Sequence, residues 1–280
     1  MGHVANAAYV WGIAGALDGR VLLRLEDHDR NRCWPEYESA LLEDLDWLGF
    51  APDRGTPAEF RAGPSTFRQS DCEEIYRAAL ARLSDKAPVY ACDCSRRDIG
   101  EDGGDAFNQE TRYSGRCRDG GLPLADGIGV RVQLAPGPER FGDGLLGEQV
   151  QDPSAQCGDL LLRDRVGNWT YHFAVVVDDA RQEIDLVIRG CDLLPSTGRQ
   201  IQLARLLGRA NPPLFVHHPL ICKSGGVKLS KATGDTGIRE LRRQGVPPSA
   251  VLGQAAYLTG LLPRPRELQP ADLAGLVAAG

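Results

Sequence analysis

Two lysines three residues apart lie in Lys228-Leu229-Ser230-Lys231, which follows Gly225-Gly226 and precedes Thr233-Gly234-Asp235. A glycine-flanked loop of this kind can close over a polyphosphate, and its ammonium groups can stabilise charge building on a leaving pyrophosphate. Taken alone, the pattern also fits a solvated basic turn. At the other end of the chain, Gly2-His3-Val4-Ala5-Asn6 opens a helical stretch. Small residues at a helix N-terminus let a phosphate approach the backbone, and the imidazole can donate to the same group. A third segment, Arg24-Leu25-Glu26-Asp27-His28-Asp29, ends an apolar run in carboxylates.

Three of the eight cysteines cluster, as Cys92-x-Cys94 and, after eighteen further residues, Tyr113-x-x-x-Cys117. Three thiolates favour zinc over harder ions, and a tetrahedral structural site needs a fourth ligand. Tyr113 would be an unusual one, and Asp93, Asp98 or water are the ordinary alternatives. The isolated Cys33, Cys72, Cys157, Cys191 and Cys222 are expected to be small buried hydrophobes rather than disulfide partners, since a chain of 280 residues needs no staples. Asp178-Asp179 could suggest magnesium at a strand end, but the pair is assigned no catalytic role.

The elements that must position these groups are legible in part. Val21 to Asp27 fits a buried strand ending in charge. Pro35 begins an amphipathic helix with Tyr37, Leu41, Leu45 and Leu48 on one face, stopped by Gly49. Residues 51–64 read as a loop, and Ser70 is expected to cap a helix whose stripe is Ile75, Tyr76, Ala79, Leu80 and Leu83. A strand in VYACDC runs into the cysteine cluster. The Gly-, Asp- and Arg-rich stretch 100–129 has few apolar residues and needs something other than a core to hold it, which a metal would supply. Strands are predicted at 129–134, 159–163, 171–177 and 184–188, and helices at 198–207, 238–243 and 249–258. The alternation predicts an α/β fold.

With 42% hydrophobic and 25% charged residues the chain can bury a full core. No run approaches the roughly 20 apolar residues of a membrane span, and the N-terminal segment lacks a basic leader, which predicts a cytoplasmic protein without membrane partners. A formal net charge of −6 argues against non-specific coating of nucleic acid.

The segments together resemble the class I aminoacyl-tRNA synthetases. Gly2-His3 is similar to the second half of their His-x-Gly-His signature, KLSKA to their Lys-Met-Ser-Lys-Ser signature, and RLEDHD to the R-x-E-D-x-D segment of the glutamate-specific members. The resemblance implies a Rossmann-like catalytic domain with a zinc-stabilised insertion, divided as 1–90 and 129–225 for the two halves, 91–128 for the insertion, and 226–280 for the lysine loop and C-terminal helices. It implies that Gly2, His3, Lys228, Ser230 and Lys231 bind ATP with magnesium, with His3, Lys228 and Lys231 acting on phosphate charge. Glu26 is then expected to hold the α-ammonium of glutamate. Tyr171, in NWTYHF, matches a substrate-site tyrosine, and Arg189, in VIRGCDLL, an arginine that pairs with the substrate side-chain carboxylate. A guanidinium gives a carboxylate two parallel hydrogen bonds, whereas an amide sets donors against donors. Arg199 and Gln200 resemble a T-x-R-Q helix start near the active site, with a role that could be purely structural.

C-x-C followed by Y-x-x-x-C resembles the arrangement in the glutamyl-queuosine tRNA(Asp) synthetases, truncated paralogues of glutamyl-tRNA synthetase. That resemblance implies one structural zinc per chain on Cys92, Cys94, Tyr113 and Cys117, an acceptor in the anticodon stem-loop of tRNA(Asp), and a monomer. Glutamyl-tRNA synthetases continue into an anticodon-reading helical domain, for which the fifty residues after the lysine loop leave no room. A fragment charging tRNA(Glu) and a non-catalytic RNA-binding paralogue are the alternatives. Family members also carry R-x-A-P-S-P-T-G on a strand before the signature, so Met1 is expected to be an internal methionine and the sheet to lack this first strand.

Overall fold

A computed structural model describes residues 1–29, 33–95, 97–99, 111–221 and 237–278. Helix α1 (Gly2–Ala16) is apolar nearly all round, burying Val4, Ala5, Ala8, Tyr9 and Ile13, so it runs through the molecule rather than along its surface. Gly12 lets the C-terminal helix α10 (Leu273–Ala278) close on it, because a Cβ there would lie 2.8 Å from Val277 Cγ2. The next segment forms no regular strand. Leu22 bridges Arg54 and Leu25 bridges Arg68, both in parallel. Each bridging segment is a loop that exchanges only two or three backbone bonds with Val21–Leu25 around one bridge, so no ladder builds and the predicted strand at Val21 is corrected to an extended tether.

Helix α2 (Pro35–Leu48) stops at Gly49 in the left-handed conformation, as its sequence predicts. Its buried stripe is Leu42, Leu45 and Leu48, whereas Tyr37 is 61% exposed. Within the stretch 51–64 expected to be a loop, a short helix α3 (Pro57–Ala62) opens with a Thr56–Glu59 capping box. Ser70 does not cap the following helix. It lies in a 3-10 turn, Gln69–Asp71, its backbone N–H donating to Asp27 Oδ1 at 2.8 Å, and α4 (Glu73–Ser84) begins three residues later. Tyr76, Ala79 and Leu83 form the buried stripe of α4.

Two sheets follow. β1 (Val89–Cys92), β2 (Gly129–Val132) and β5 (Leu160–Arg163) form an antiparallel sheet in the order β1-β2-β5. The second has the order β4-β3-β7-β6, from the hairpin β3 (Glu139–Asp143) and β4 (Gly147–Gln151) to the parallel pair β7 (Leu214–His218) and β6 (Leu186–Gly190). The hairpin and β7 carry no strong alternation and were not anticipated, and β6 starts two residues after its predicted position. The short α5 (Pro153–Cys157) is capped by Asp152.

The main correction is α6 (Tyr171–Arg181), where a β-branched run predicts a strand. Thr170 caps it, its Oγ1 accepting from the Phe173 N–H at 3.4 Å, and such a cap contributes about 1 kcal/mol. Residues Phe173 to Asp179 are all buried between β5, α4 and α7 (Thr197–Leu206). Seven consecutive buried residues leave no solvent face along that run, and burial outweighs the strand propensity of valine. Trp169 stacks on Phe173 at the centre of this core and Tyr76 meets both rings tilted or edge-on, where full burial of a side chain such as Phe173 contributes roughly 2–3 kcal/mol. Helices α8 (Ile238–Arg243) and α9 (Pro248–Leu258) pack with α1 in a second core. Of the isolated cysteines, Cys72 and Cys157 are buried as expected, but Cys33 is exposed and Cys191 half-buried; Cys222 lies outside the described residues. No described helix is long and apolar enough to cross a membrane.

Candidate active site

The register of the parallel pair brings the first site residues together: Arg189 on β6 lies opposite His217 on β7, near the carboxyl ends of both strands. Open α/β sheets expose functional groups at this end. Arg189 is 6% exposed. Its Nε donates to His217 Nε2 at 3.0 Å, Nη1 to Gln200 Oε1 at 2.7 Å and to Tyr171 Oη at 3.2 Å, and Nη2 to Thr197 Oγ1 at 2.9 Å and the Leu193 carbonyl at 3.5 Å. All these partners are uncharged acceptors. Among the described residues no carboxylate lies within ion-pair distance of this buried guanidinium, and a buried cation so placed is completed by an anionic ligand.

Tyr171, at the first position of α6, accepts from Arg189 and lies within the field of Glu26. Burial, followed by the Glu26 carboxylate, raises its phenol pKa, while Arg189 pulls the other way. Arg24 anchors Glu26, with Nε and Nη2 donating to Oε1 at 3.3 and 3.1 Å. Oε2 has no partner among the described residues, and the side chain is 37% exposed. Arg24 is itself fixed by Asp179 at 2.9 Å and Asp178 at 3.8 Å. Those two carboxylates end no strand: they lie buried in α6, Asp178 also accepting from Gln69 and Tyr76. The site therefore has a cationic end at Arg189 and an anionic end at Glu26, with a tyrosine between them. Such a site can hold an amino acid that carries both an ammonium and a second carboxylate.

Gly2 and His3 are exposed at the start of α1, and a Cβ at Gly2 would meet nothing within 4 Å. The same turn reaches β7, where His218 Nε2 hydrogen-bonds Asn6 Oδ1 at 3.0 Å and its ring stacks on Tyr9 at 4.7 Å. Lys228, Ser230 and Lys231 lie outside the described residues. The flanks of that segment are described: Ile221 before it and Ile238 after it belong to the apolar cluster that includes Val4 and Ala5 of α1.

The cysteine cluster is assembled as its spacing predicts. Cys92, Cys94 and Cys117 place their sulfurs within 4.8 Å of one another, and Tyr113 Oη lies 3.4 Å from Cys92 Sγ while accepting from the Cys117 N–H at 2.9 Å. Three soft donors at this spacing fit a tetrahedral zinc ion. Tyr113 and Asp93, whose Oδ1 lies 3.3 Å from Cys117 Sγ, are both placed to complete it, whereas Asp98 is committed to a reciprocal cap with Ser95. Arg131 lies 3.8 Å over the Tyr113 ring and donates to Cys92 Sγ at 3.3 Å, offsetting negative charge on the ligands. Gly158 allows the segment to seat: a Cβ there would overlap the Tyr113 carbonyl at 1.9 Å.

The sequence reading missed His217, Asp143, His172 and Arg24. The signals were a pair of histidines in the otherwise apolar LFVHHPLI and an arginine inside VLLRLED, each a polar group on a segment bound for the interior. Gln200, whose role the sequence left open, touches Arg189 directly and donates from Nε2 to His172 Nδ1 at 3.3 Å. Burial, with Arg199 and Arg189 nearby, pushes His172 down to about 3, so it is a neutral acceptor.

The family model for class I tRNA synthetases (E and Q), catalytic domain, matches residues 1–267. A glutamyl-Q tRNA(Asp) synthetase of Nitratidesulfovibrio vulgaris is 34% identical over 293 residues, covering 99% of this chain and 88% of the relative. One from Symbiobacterium thermophilum is 37% identical over 283 residues, covering 98% and 86%. The crystal structure of glutamate-tRNA synthetase from Elizabethkingia anophelis matches with a TM-score of 0.79 at 25% identity, over 98% of this chain and 62% of that one. The chain thus spans about three fifths of the length of that synthetase.

Proposed function

The chain belongs to the class I tRNA synthetase family of glutamate and glutamine catalytic domains, and from that premise we propose that it activates glutamate with ATP and transfers the glutamyl group to queuosine at the wobble position of tRNA(Asp). The observation that carries the choice of glutamate is Arg189, a buried guanidinium held by five uncharged acceptors and, among the described residues, by no carboxylate. The γ-carboxylate of glutamate supplies the missing charge. Glutamine would set its amide donors against the guanidinium N–H groups.

Glu26 receives the α-ammonium on its open oxygen, and Tyr171 holds the substrate between the two charged ends. The α-carboxylate oxygen then attacks the α-phosphorus of ATP, a P–O bond forms, the bond to the bridging oxygen breaks, and pyrophosphate leaves with its magnesium. Gly2 and His3 at the helix start and Lys228, Ser230 and Lys231 on the loop receive the phosphate charge. Positioning supplies much of the rate, and no side-chain nucleophile is needed. The three cysteines with Tyr113 would hold a structural zinc that pins the insertion 91–128, between catalytic halves 1–90 and 129–225; the lysine loop and terminal helices make up 226–280. The acceptor is a hydroxyl of the queuosine ring, in the anticodon stem-loop. Coverage of 88% and 86% of the length of the two glutamyl-Q relatives supports this acceptor.

Likeness to the longer glutamate-tRNA synthetase favours a second reading, in which tRNA(Glu) is charged at its 3′ end. Glutamate-dependent exchange of pyrophosphate into ATP tests the first half-reaction, and a non-catalytic RNA-binding paralogue gives none. Transfer of labelled glutamate to queuosine-containing tRNA(Asp) and to tRNA(Glu), run side by side, decides the acceptor: label only on tRNA(Glu) would overturn the queuosine assignment.

A further inference from the structure

We infer that Asp143 and His217 form a positioning pair that aims Arg189, making the tautomer of one buried imidazole a determinant of glutamate affinity. The inference rests on the reading of Arg189 as the carboxylate-binding residue.

His217 is fully buried, and its Nδ1 lies 2.5 Å from Asp143 Oδ2 while Nε2 faces Arg189 Nε at 3.0 Å and Thr197 Oγ1 at 3.2 Å. An arginine Nε–H can only donate, so His217 Nε2 must accept; the proton is on Nδ1, where ionised Asp143 accepts it. Burial alone would raise the Asp143 carboxyl, but hydrogen bonds from His217 and from the Leu145 and Leu146 N–H groups hold it below the usual range. Burial likewise pushes the His217 imidazole down, against the pull of Asp143.

The hairpin explains why the arrangement is rigid. Asp143 ends β3 and spends Oδ1 on the turn that leads to β4, while its other oxygen reaches His217 on the neighbouring β7. The chain Asp143–His217–Arg189 thus crosses three adjacent strands. Thr197 closes it by receiving Arg189 Nη2 while contacting His217 Nε2. Arg189 cannot swing without breaking bonds to an acceptor that is itself fixed. A carboxylate on this relay gains affinity because the guanidinium is oriented before the ligand arrives.

Asp143→Asn keeps an oxygen for the turn but presents an amide N–H to Nδ1, driving the proton to Nε2, where donor faces donor at Arg189. His217→Asn retains a donor toward Asp143 and deletes the acceptor, whereas His217→Gln restores an acceptor near Nε2. Glutamate affinity is measured by calorimetry on the full chain, alongside the KM values for glutamate and ATP in pyrophosphate exchange. Long-range 1H–15N spectra of the imidazole report the tautomer without any ligand. The expected result is Nδ1–H in the unsubstituted protein and Nε2–H in D143N, with glutamate affinity down about ten- to a hundred-fold in D143N and H217N. The KM for ATP stays within about two-fold, and H217Q recovers most of the loss. Unchanged glutamate affinity in folded D143N, or an Nε2–H tautomer in the unsubstituted protein, overturns the pair's role while leaving the glutamate reading intact. No glutamate binding by an unsubstituted chain that shows the Nδ1–H tautomer overturns the glutamate reading, and this inference with it.

Discussion

Replacing Arg189 by glutamine separates a binding arginine from a structural one, because the two roles predict opposite balances of stability and affinity. In the proposed complex, the γ-carboxylate of glutamate takes over the N–H groups that make the two longest neutral contacts, to Tyr171 Oη at 3.2 Å and the Leu193 carbonyl at 3.5 Å, as charge-assisted hydrogen bonds contributing roughly 1.5–3 kcal/mol each. The glutamine amide can return one neutral bond of about 1 kcal/mol, so the net loss is about 3 kcal/mol, or roughly a hundred-fold in glutamate KM. The folded protein without ligand fares differently. Among the described residues no carboxylate lies within ion-pair distance of the buried Arg189, so removing its charge relieves a desolvation cost of several kcal/mol. Against that relief stand the acceptors it leaves behind: His217 Nε2, Gln200 Oε1, Thr197 Oγ1, Tyr171 Oη and the Leu193 carbonyl. The hydroxyls can rotate and the new amide can reach one of them, so the stability of Arg189→Gln is expected within about 1 kcal/mol of the original. Urea unfolding and glutamate-dependent pyrophosphate exchange read the two quantities on one preparation, and the preference for glutamate over glutamine should narrow in parallel. A stability loss above about 2 kcal/mol with a glutamate KM changed less than five-fold would refute the reasoning and make Arg189 a fold-holding residue.

Arg24→Met should cost roughly 3–5 kcal/mol in urea unfolding, because it strands the buried carboxylate of Asp179, whereas Asp178 keeps Arg181, Gln69 and Tyr76; a loss under 1 kcal/mol would show that Asp179 is solvated. Removing zinc by chelation should release about one ion per chain and open the segment around Tyr113 to protease, both followed by metal analysis and limited digestion. Tyr113→Phe is expected to weaken metal retention and Asp93→Asn to leave it unchanged, and the reverse order would make Asp93 the fourth ligand. His172, held neutral with its pKa pushed from 6.5 to about 3 by burial and two nearby arginines, adds a pH dependence. Below about pH 6.5 the unfolded chain takes up a proton that the folded site refuses until about pH 3, so this contribution is full above pH 6.5 and is lost as pH falls through that window. The loss at pH 5 is about 1–2 kcal/mol, allowing for partial exposure, and His172→Gln should remove that part of the difference between unfolding at pH 7.5 and pH 5.

What the residues determine by themselves is the chemistry that short-range spacing encodes. Cys92-x-Cys94 and Tyr113-x-x-x-Cys117 specify a thiolate cluster because two ligands on one turn of chain stay close in any compact fold, and the structure brings all four together. Gly49 stopped α2 because its left-handed conformation depends only on local sterics. The family, too, is legible in segments of three to six residues. Tertiary structure alone decided the rest, because those outcomes depend on partners far away in the sequence. Tyr171 to Val177 became a helix since burial outweighed the preference of its valines, and Val21 to Leu25 remained a tether since loops rather than strands lay beside it. Arg189 was visible as a residue, but its meaning came from the parallel register that set it against His217, 28 positions on, and from Asp143 across a third strand. A charge can be read from the chain; that it is buried with no carboxylate beside it among the described residues is settled only by what packs around it.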